Sequence, residues 1–140
     1  MATAERFEDL EVWQRARELA NLIYDLSDTG IFARDFGLKD QMRRAAVSIM
    51  SNIAEGFESR TQGLFIDYLG RARGSSGELR SQLYIAFDRT YITEQDFEIA
   101  FGFSTTCSKQ LARLIQYLES QPNSRRIRED SVSYEIEDKT

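Results

Sequence analysis

Histidine is absent from this chain of 140 residues, and cysteine and proline occur only once each. Without histidine, neither a Ser-His nor a Cys-His nucleophilic pair can be built, and zinc loses one of its usual ligands. The Glu-x-x-His motif of di-iron helical bundles is equally impossible. We therefore predict that the protein is not an enzyme, and we expect no catalytic residue, metal, cofactor or small-molecule substrate.

Signals for membrane insertion and secretion are also missing. The sequence has no run of about 18 apolar residues, which a membrane-spanning helix would need. Residues 1–6 lack the basic and apolar regions of a secretory signal. The lone Cys107 suits a reducing compartment. We expect a cytoplasmic protein that has no membrane partner.

Few residues in the chain interrupt a helix, since Pro122 is the only proline. Apolar residues recur at helical spacing in four stretches, 10–29, 36–57, 61–90 and 93–121. Four helices with short connections predict an all-α fold, an antiparallel up-down-up-down four-helix bundle. We expect this bundle to occupy residues 1–122.

Residues 123–140 differ in composition and are expected to form a polar, flexible C-terminal tail. Arg125, Arg126 and Arg128 come first and are followed by an acidic stretch. Within that stretch Val132, Tyr134 and Ile136 alternate with polar residues, a pattern that suits a strand formed on binding a partner.

The stretch 61–90 is the one around which the rest of the chain is organised. Its apolar residues fall on one arc of a helix, and on the opposite side Gly70, Gly74, Gly77 and Ser81 form a stripe of small residues. Each glycine inside a helix costs roughly 0.8–1 kcal/mol relative to alanine. We therefore expect another backbone to approach closely on this side. The alternative is that the glycines break the stretch into two short helices joined by a loop.

Two further patterns concern packing and the start of the third helix. The apolar arcs of the first two stretches are about 200° wide, whereas a surface helix of a monomer needs little more than about 100°. This excess predicts burial on two sides. Ser59 or Thr61 is expected to cap the third helix, and Gln62 is placed to close a capping box with Ser59.

Three polar residues, Asn52, Glu55 and Glu78, lie near the predicted interfaces between helices. We expect Glu78 to accept hydrogen bonds from a neighbouring helix or from an arginine. Asp67 and Arg71 are four residues apart and are expected to form an ion pair on the surface of the third helix.

The charge of the chain is acidic, with a formal net charge of −5. This balance argues against nucleic-acid binding by the whole surface, although a local basic patch is compatible with it. Fifteen of the basic residues are arginines, which suit bidentate contacts to phosphate or carboxylate. The candidate nucleic-acid-binding residues are Arg43, Arg44, Arg71, Arg73 and Arg80. The alternative is that they pair with nearby carboxylates, namely Asp40, Glu55, Asp67 and Glu78.

Three ordered blocks of sequence point to a family. The first is FEDLEVW at residues 7–13. The second is LKDQMRRA at 38–45, followed by SI at 48–49 and NIAEGF at 52–57. The third is ARGS at 72–75, followed by EL at 78–79 and QL at 82–83. Over residues 7–120 the chain thereby resembles the bacterial 23S rRNA intervening-sequence proteins.

The resemblance implies an up-down four-helix bundle that assembles into a ring-like homopentamer and has no catalytic residues. The same family includes the accessory variability determinant protein of diversity-generating retroelements, a pentamer that binds a reverse transcriptase and nucleic acid. By resemblance, this chain is a non-enzymatic scaffold whose partners are a reverse transcriptase and structured RNA, with the arginines as its basic surface. The acidic charge departs from that pattern. The alternative is a protein-interaction module of the same family that does not bind nucleic acid.

Overall fold

The computed structural model describes residues 4–122, which form four α-helices. Helix α1 spans Glu11–Leu26, α2 spans Phe36–Glu58, α3 spans Gln62–Asp88 and α4 spans Glu94–Glu119. Short 3-10 helices, Phe7–Asp9 and Phe32–Arg34, precede α1 and α2. The predicted stretches are confirmed to within a few residues at their ends, the usual uncertainty of helix termini. The predicted tail, 123–140, lies outside the described residues.

The four helices form an up-down-up-down bundle around one apolar core. Each helix contacts two others, in the pairs α1–α2, α2–α3, α3–α4 and α4–α1. Every helix contributes fully buried side chains to the core, for example Leu19, Ile49, Leu79 and Leu111. Cys107 is also fully buried there, as a small apolar side chain. Over residues 4–122 the fold is all-α and contains no strand, as predicted.

Helices α2, α3 and α4 each begin at a side-chain cap. The side chains of Asp35, Thr61 and Thr93 accept hydrogen bonds of 3.0–3.1 Å from backbone N–H groups three residues further on. These bonds satisfy amide groups that have no partner within the first turn of a helix. The predicted cap at Thr61 is thereby confirmed.

Gln62 connects the start of α3 to the end of α4. Its Nε2 atom donates a hydrogen bond to the carbonyl of Leu118 and another, of 3.3 Å, to the carbonyl of Gln121. The predicted capping box with Ser59 is therefore wrong. The Gln62 side chain instead binds the carbonyl of Leu118, in the last turn of α4, and that of Gln121, just beyond the helix.

Helix α3 runs without a break through Gly70, Gly74 and Gly77, so the alternative of two short helices is wrong. A Cβ atom placed at Gly70 or Gly74 would meet no heavy atom within 4 Å, and at Gly77 it would meet only Nη2 of Arg80 at 3.7 Å. Within residues 4–122, no backbone packs on the stripe of small residues. Close approach by another copy of the chain stays a prediction.

The close approach between helices of one chain occurs at Gly56 instead. A Cβ atom there would lie 2.8 Å from Cβ of Tyr68 and 3.0 Å from Cδ1 of Phe65. Both distances are shorter than normal van der Waals contacts. The Cβ atom of Tyr68 is bonded directly to the main chain, so no side-chain rotation can move it away. Helix α2 can therefore approach α3 this closely only because position 56 has no side chain.

Replacing Gly56 with alanine is expected to destabilise the bundle by about 1–3 kcal/mol, because α2 must move away from α3. Gly102→Ala is the matched control, since Gly102 lies inside α4 and a Cβ atom there would meet nothing within 4 Å. The control is expected to stabilise the fold by roughly 0.8–1 kcal/mol through helix propensity alone. Urea denaturation measures both, and changes of the same sign would contradict the argument.

Candidate functional site

The five candidate arginines are not brought together on one surface. Arg43 and Arg44 line a cleft beside Tyr24 at the α1–α2 side of the bundle. Arg73 and Arg80 line a different cleft, between α3 and α4. Arg71 belongs to neither, because two residues along an α-helix turn a side chain by about 200° and so place Arg71 on the other side of α3 from Arg73.

Arg43 is engaged with the end of α1. Its Nε atom donates a hydrogen bond of 2.8 Å to Oγ of the buried Ser27, and Nη2 donates one of 3.3 Å to the carbonyl of Tyr24. Its Cζ atom lies 4.3 Å from the centre of the Tyr24 ring, and Nη2 lies 3.7 Å from Oδ1 of Asp28. A cation is favoured at a helix C-terminus, where the last carbonyls lack donors. The guanidinium of Arg43 therefore already has partners within its own chain.

Arg44, the next residue, points to solvent and pairs with Asp40. Its Nε atom lies 2.8 Å from Oδ2 of that carboxylate, one helical turn earlier. The hydrogen bond to Asp40, together with the attraction between the charges, raises the pKa of Arg44 above its ordinary value. The alternative of pairing with carboxylates is confirmed for this arginine.

Arg71 stacks on an aromatic ring. Its Cζ atom lies 4.8 Å from the centre of the Tyr68 ring, within the range of a cation–π contact. Among the contacts of residues 4–122, no ion pair joins Arg71 to Asp67, so that prediction is wrong. The aromatic ring three residues earlier occupies the guanidinium instead.

Arg80 is held in place by serine hydroxyl groups at the α3–α4 interface. Its Nη1 atom lies 3.1 Å from Oγ of Ser76, 3.1 Å from Oγ of Ser104 and 2.7 Å from Oγ of Ser108. Ser76 and Ser104 are fully buried, and their own hydroxyl groups are 2.7 Å apart. The sequence pattern did not indicate this role for the serines, although Ser104 and Ser108 are four residues apart, about one helical turn. They fix the position of the guanidinium without neutralising its charge.

A cleft opens where α3 lacks side chains. Gly70 and Gly74 border a volume of about 370 Å³, which Arg73, Arg80 and Ser108 also line. Neither arginine forms an ion pair within the described part of the chain. The cleft is therefore a local positive site on an acidic protein, and its two guanidinium groups can bind the oxygens of a phosphate or a carboxylate.

The three polar residues near the interfaces have different environments. Asn52 donates to the carbonyl and hydroxyl groups of Ser48 at 2.8 and 2.9 Å, and the Ser48 hydroxyl lies 2.9 Å from that of Ser75 on α3. Asn52 thus supports a link between α2 and α3. Glu55 is exposed on α2.

Glu78 is exposed on the outer side of α3. Its hydrogen bond within the described residues comes from Nε2 of Gln82, on the same helix, at 3.5 Å. The expected bond from a neighbouring helix or an arginine is wrong, because the outward side of α3 faces no other helix of the chain.

Two further findings apply to residues 4–122. The carboxylates and the cysteine in this range do not gather into a group of three or more that could hold a metal ion. None of the helices in this range combines the length and apolar character needed to cross a membrane.

Comparison with known proteins agrees with the bundle described above. Residues 8–113 match the family model described as 23S rRNA-intervening sequence protein. The fold is also similar to the 1.70 Å crystal structure of a protein with unknown function from the S23 ribosomal protein family of Bacteroides thetaiotaomicron VPI-5482. The TM-score is 0.70 at 26% sequence identity, covering 75% of this chain and 98% of that one. No curated protein matches the sequence.

Replacing Arg43 with alanine is expected to lower the free energy of unfolding by about 1–2 kcal/mol, because the end of α1 loses its cation and two hydrogen bonds. Arg44→Ala is the matched control, because it removes an exposed ion pair one position further on and should change stability little. Thermal denaturation of the two variants measures the difference. Equal losses of stability would show that Arg43 does not anchor α1.

Proposed function

The chain belongs to the 23S rRNA-intervening sequence protein family, and we propose that it is a non-enzymatic scaffold that assembles with its own copies and binds nucleic acid. The binding site in this proposal is the cleft between α3 and α4. The observation that carries it is the pair Arg73 and Arg80, which border one cleft and have no carboxylate partner within residues 4–122.

The geometry of the cleft suits a phosphate backbone. Arg80 is oriented in advance by Ser76, Ser104 and Ser108, so little side-chain entropy remains to be lost on binding. Arg73 is exposed and free to follow a second phosphate. The chain carries a net charge of −5, so attraction to the cleft depends on the two nearby arginines. At 0.1 M salt, charges further away than a Debye length of about 10 Å are largely screened.

Assembly would multiply this modest site. A ring of copies repeats the Arg73–Arg80 cleft around its circumference, and an RNA that contacts several clefts gains from their effective concentration. The stripe of Gly70, Gly74, Gly77 and Ser81 supports contact between copies, since a Cβ atom at Gly70 or Gly74 would meet nothing in the described chain. Gly70 and Gly74 also border the cleft, so in this proposal a neighbouring copy packs on the glycines and the nucleic acid contacts the two guanidinium groups beside them. A homopentamer is the form that the family resemblance implies.

The protein partner in this proposal is a reverse transcriptase, by resemblance to the accessory variability determinant protein. The exposed apolar residues described next provide a surface on which a protein partner can dock.

A second candidate function is that of a protein-interaction module without a nucleic-acid role. One end of the bundle supports it, where the α1–α2 and α3–α4 connections meet through stacking of Phe32 on Tyr91 with ring centres 5.3 Å apart. Beside this contact, Ile31 and Phe36 are 70% and 72% exposed. In this second proposal the two side chains form the apolar part of a protein-binding surface. The net charge of −5 is also easier to reconcile with this function.

Arg73→Glu is expected to weaken binding of a structured RNA at least about tenfold at low salt, because it reverses one of two phosphate-binding charges. Arg71→Glu is the matched control, with the same charge change on the other side of α3, and should have a much smaller effect. Binding by the unaltered chain should also weaken steeply with salt, by a slope of about −0.7 to −0.9 in log K per phosphate contact.

Fluorescence anisotropy with a labelled RNA hairpin measures these affinities across a salt series. Equal effects of Arg73→Glu and Arg71→Glu would exclude the cleft as the site. Absence of binding by the unaltered chain at low salt would favour the protein-interaction module.

Light scattering on a sizing column is expected to give a mass near five times 16.2 kDa for the unaltered chain. Gly74→Leu should lower this mass while the helical circular dichroism is retained, because a side chain at that position meets nothing within its own chain. Gly102→Leu, on α4, is the control and should leave the mass unchanged. A monomeric unaltered chain, or a pentamer that tolerates Gly74→Leu, would refute contact through the stripe of small residues.

A further inference from the structure

We infer that the nucleic acid bound between α3 and α4 is single-stranded, and that one of its bases stacks on Tyr84. The inference rests on the proposed function, because it uses Arg73 and Arg80 as the contacts to phosphate. It adds the class of nucleic acid and a second kind of contact, further along the same two helices. In a structured RNA, such a strand is a loop, a bulge or an end.

Aromatic side chains gather where α3 ends and α4 begins. The ring centre of Tyr84 lies 5.2 Å from that of Phe97 and 5.6 Å from that of Phe101. Phe87 belongs to the same aromatic cluster, with its ring centre 5.0 Å from that of Phe97. Tyr84 is 51% exposed, whereas the three phenylalanines are partly buried against the core. Tyr84 is therefore the member of the cluster that a ligand reaches most easily.

No neighbouring ring stacks flat on Tyr84 within residues 4–122. The planes of Phe97 and Phe101 are inclined to the Tyr84 ring by 56° and 74°. Inclined contacts of this kind hold the ring in place without covering a whole face of it. A flat ligand such as a nucleobase can therefore stack on the exposed part of the ring.

The other exposed aromatic rings of the bundle already have a cation beside them. Cζ of Arg43 lies 4.3 Å from the centre of the Tyr24 ring, and Nζ of Lys39 lies 5.3 Å from that of Phe36. Tyr84 is the third aromatic side chain that is exposed in the described part of the chain, and there no cation lies over its ring. Its π-face thus remains available to a ligand.

Arg80 and Tyr84 follow one another along the interface between α3 and α4. They are four residues apart on α3 and so share one side of the helix. On α4, Arg80 bonds to Ser104 and Tyr84 contacts Phe101, which is nearly one turn away. Nη1 of Arg80 also bonds to Ser76, one turn earlier on α3, and so turns away from Tyr84. The cation therefore lies beside the ring without covering it.

The order of these groups suits a single strand. Arg73, Arg80 and Tyr84 are separated by seven and four residues, which is about 10 Å and 6 Å along α3. Phosphates of one stacked strand recur about every 3.4 Å along its axis, so these are distances of a few nucleotides. Two phosphates can then bind the guanidinium groups while a nearby base reaches the ring. The bases of a duplex are stacked on each other and have no free face for a side chain.

Carboxylates around the aromatic cluster favour a base over a phosphate there. Asp88, at the end of α3, and Glu94 and Glu98, at the start of α4, are exposed. Because like charges repel, the phosphates are directed towards the two arginines. An uncharged base does not experience this repulsion and can occupy the Tyr84 ring.

Stacking on Tyr84 is compatible with contact between copies at the glycines. Tyr84 lies ten residues after Gly74, which is about 15 Å along α3. A neighbouring copy that packs on Gly70 and Gly74 and a base on Tyr84 therefore occupy separate parts of the helix.

The test compares two RNA probes with the full chain at low salt. One is an end-labelled single strand of about ten nucleotides, within the range of known single-strand sites. The other is the same strand annealed to its complement. Charge alone favours the duplex, because each phosphate contact to it releases more counterions. Stacking is expected to reverse this order, so that the single strand binds more tightly, on the order of tenfold.

Three variants isolate the ring. Tyr84→Leu is expected to weaken single-strand binding on the order of tenfold and to leave duplex binding unchanged, because it removes the ring and keeps an apolar side chain. Tyr84→Phe keeps the ring and should retain the preference. Ile85→Ala is the matched control, since Ile85 is 49% exposed and lies on a different side of α3. Thermal denaturation verifies that all three variants are folded.

A fluorescent aminopurine base reports the stacking directly, because its emission is quenched when it stacks on an aromatic ring. It is placed at successive positions of the single strand. Quenching is expected at one or more positions on binding to the unaltered chain and to Tyr84→Phe. With Tyr84→Leu at a saturating protein concentration, the quenching should be absent.

Equal affinity of the unaltered chain for the two probes would overturn the inference, and so would a single-strand preference that survives Tyr84→Leu. A fall in the mass of Tyr84→Leu on the sizing column would also overturn it, because Tyr84 would then be a contact between protein copies. If Arg73→Glu weakens RNA binding and Tyr84→Leu does not, the proposed function stands and only the stacking is removed. If neither probe binds at low salt, the proposed function itself fails, and the inference with it.

Discussion

Helix α2 packs against α3 through its backbone at Gly56, and this contact sets how closely the two helices approach. Position 56 has no Cβ atom, so Tyr68 and Phe65 of α3 can pack directly on the backbone of α2. This approach fixes the separation of the two helices, and the hydroxyl groups of Ser48 and Ser75 meet across the same interface at 2.9 Å. Helix α3 is thereby positioned to receive α4 on its other side. A cleft stays open between α3 and α4, beside Gly70 and Gly74, and it contains the candidate site.

The five candidate arginines have different roles in this fold. The guanidinium of Arg43 satisfies the end of α1, that of Arg44 pairs with Asp40, and that of Arg71 stacks on Tyr68. Only Arg73 and Arg80 lie beside a cleft without a carboxylate in the described range. Arg80 is held by hydroxyl groups, which accept its hydrogen bonds but leave its full charge available. An arginine held by neutral hydroxyl groups can still attract an anion, whereas the charge of an arginine in an internal ion pair is already compensated.

The acidic net charge and the positive cleft are compatible because electrostatic attraction is local in salt solution. Charges separated by more than about 10 Å at 0.1 M salt are largely screened, so a ligand in the cleft responds mainly to the two arginines. The acidic surface then limits binding elsewhere on the molecule.

Apolar periodicity and capping residues act locally, so the sequence was enough to predict the number, order and approximate length of the helices. It also indicated that the glycines of the third stretch leave one side of a helix bare. It could not tell Gly56 from Gly74, since close approach depends on which helix lies opposite. It also could not distinguish the roles of the five arginines, because some of their partners, such as Ser27 and Ser104, are distant in sequence. Those assignments follow from the folded bundle, which brings side chains from different helices within hydrogen-bonding distance.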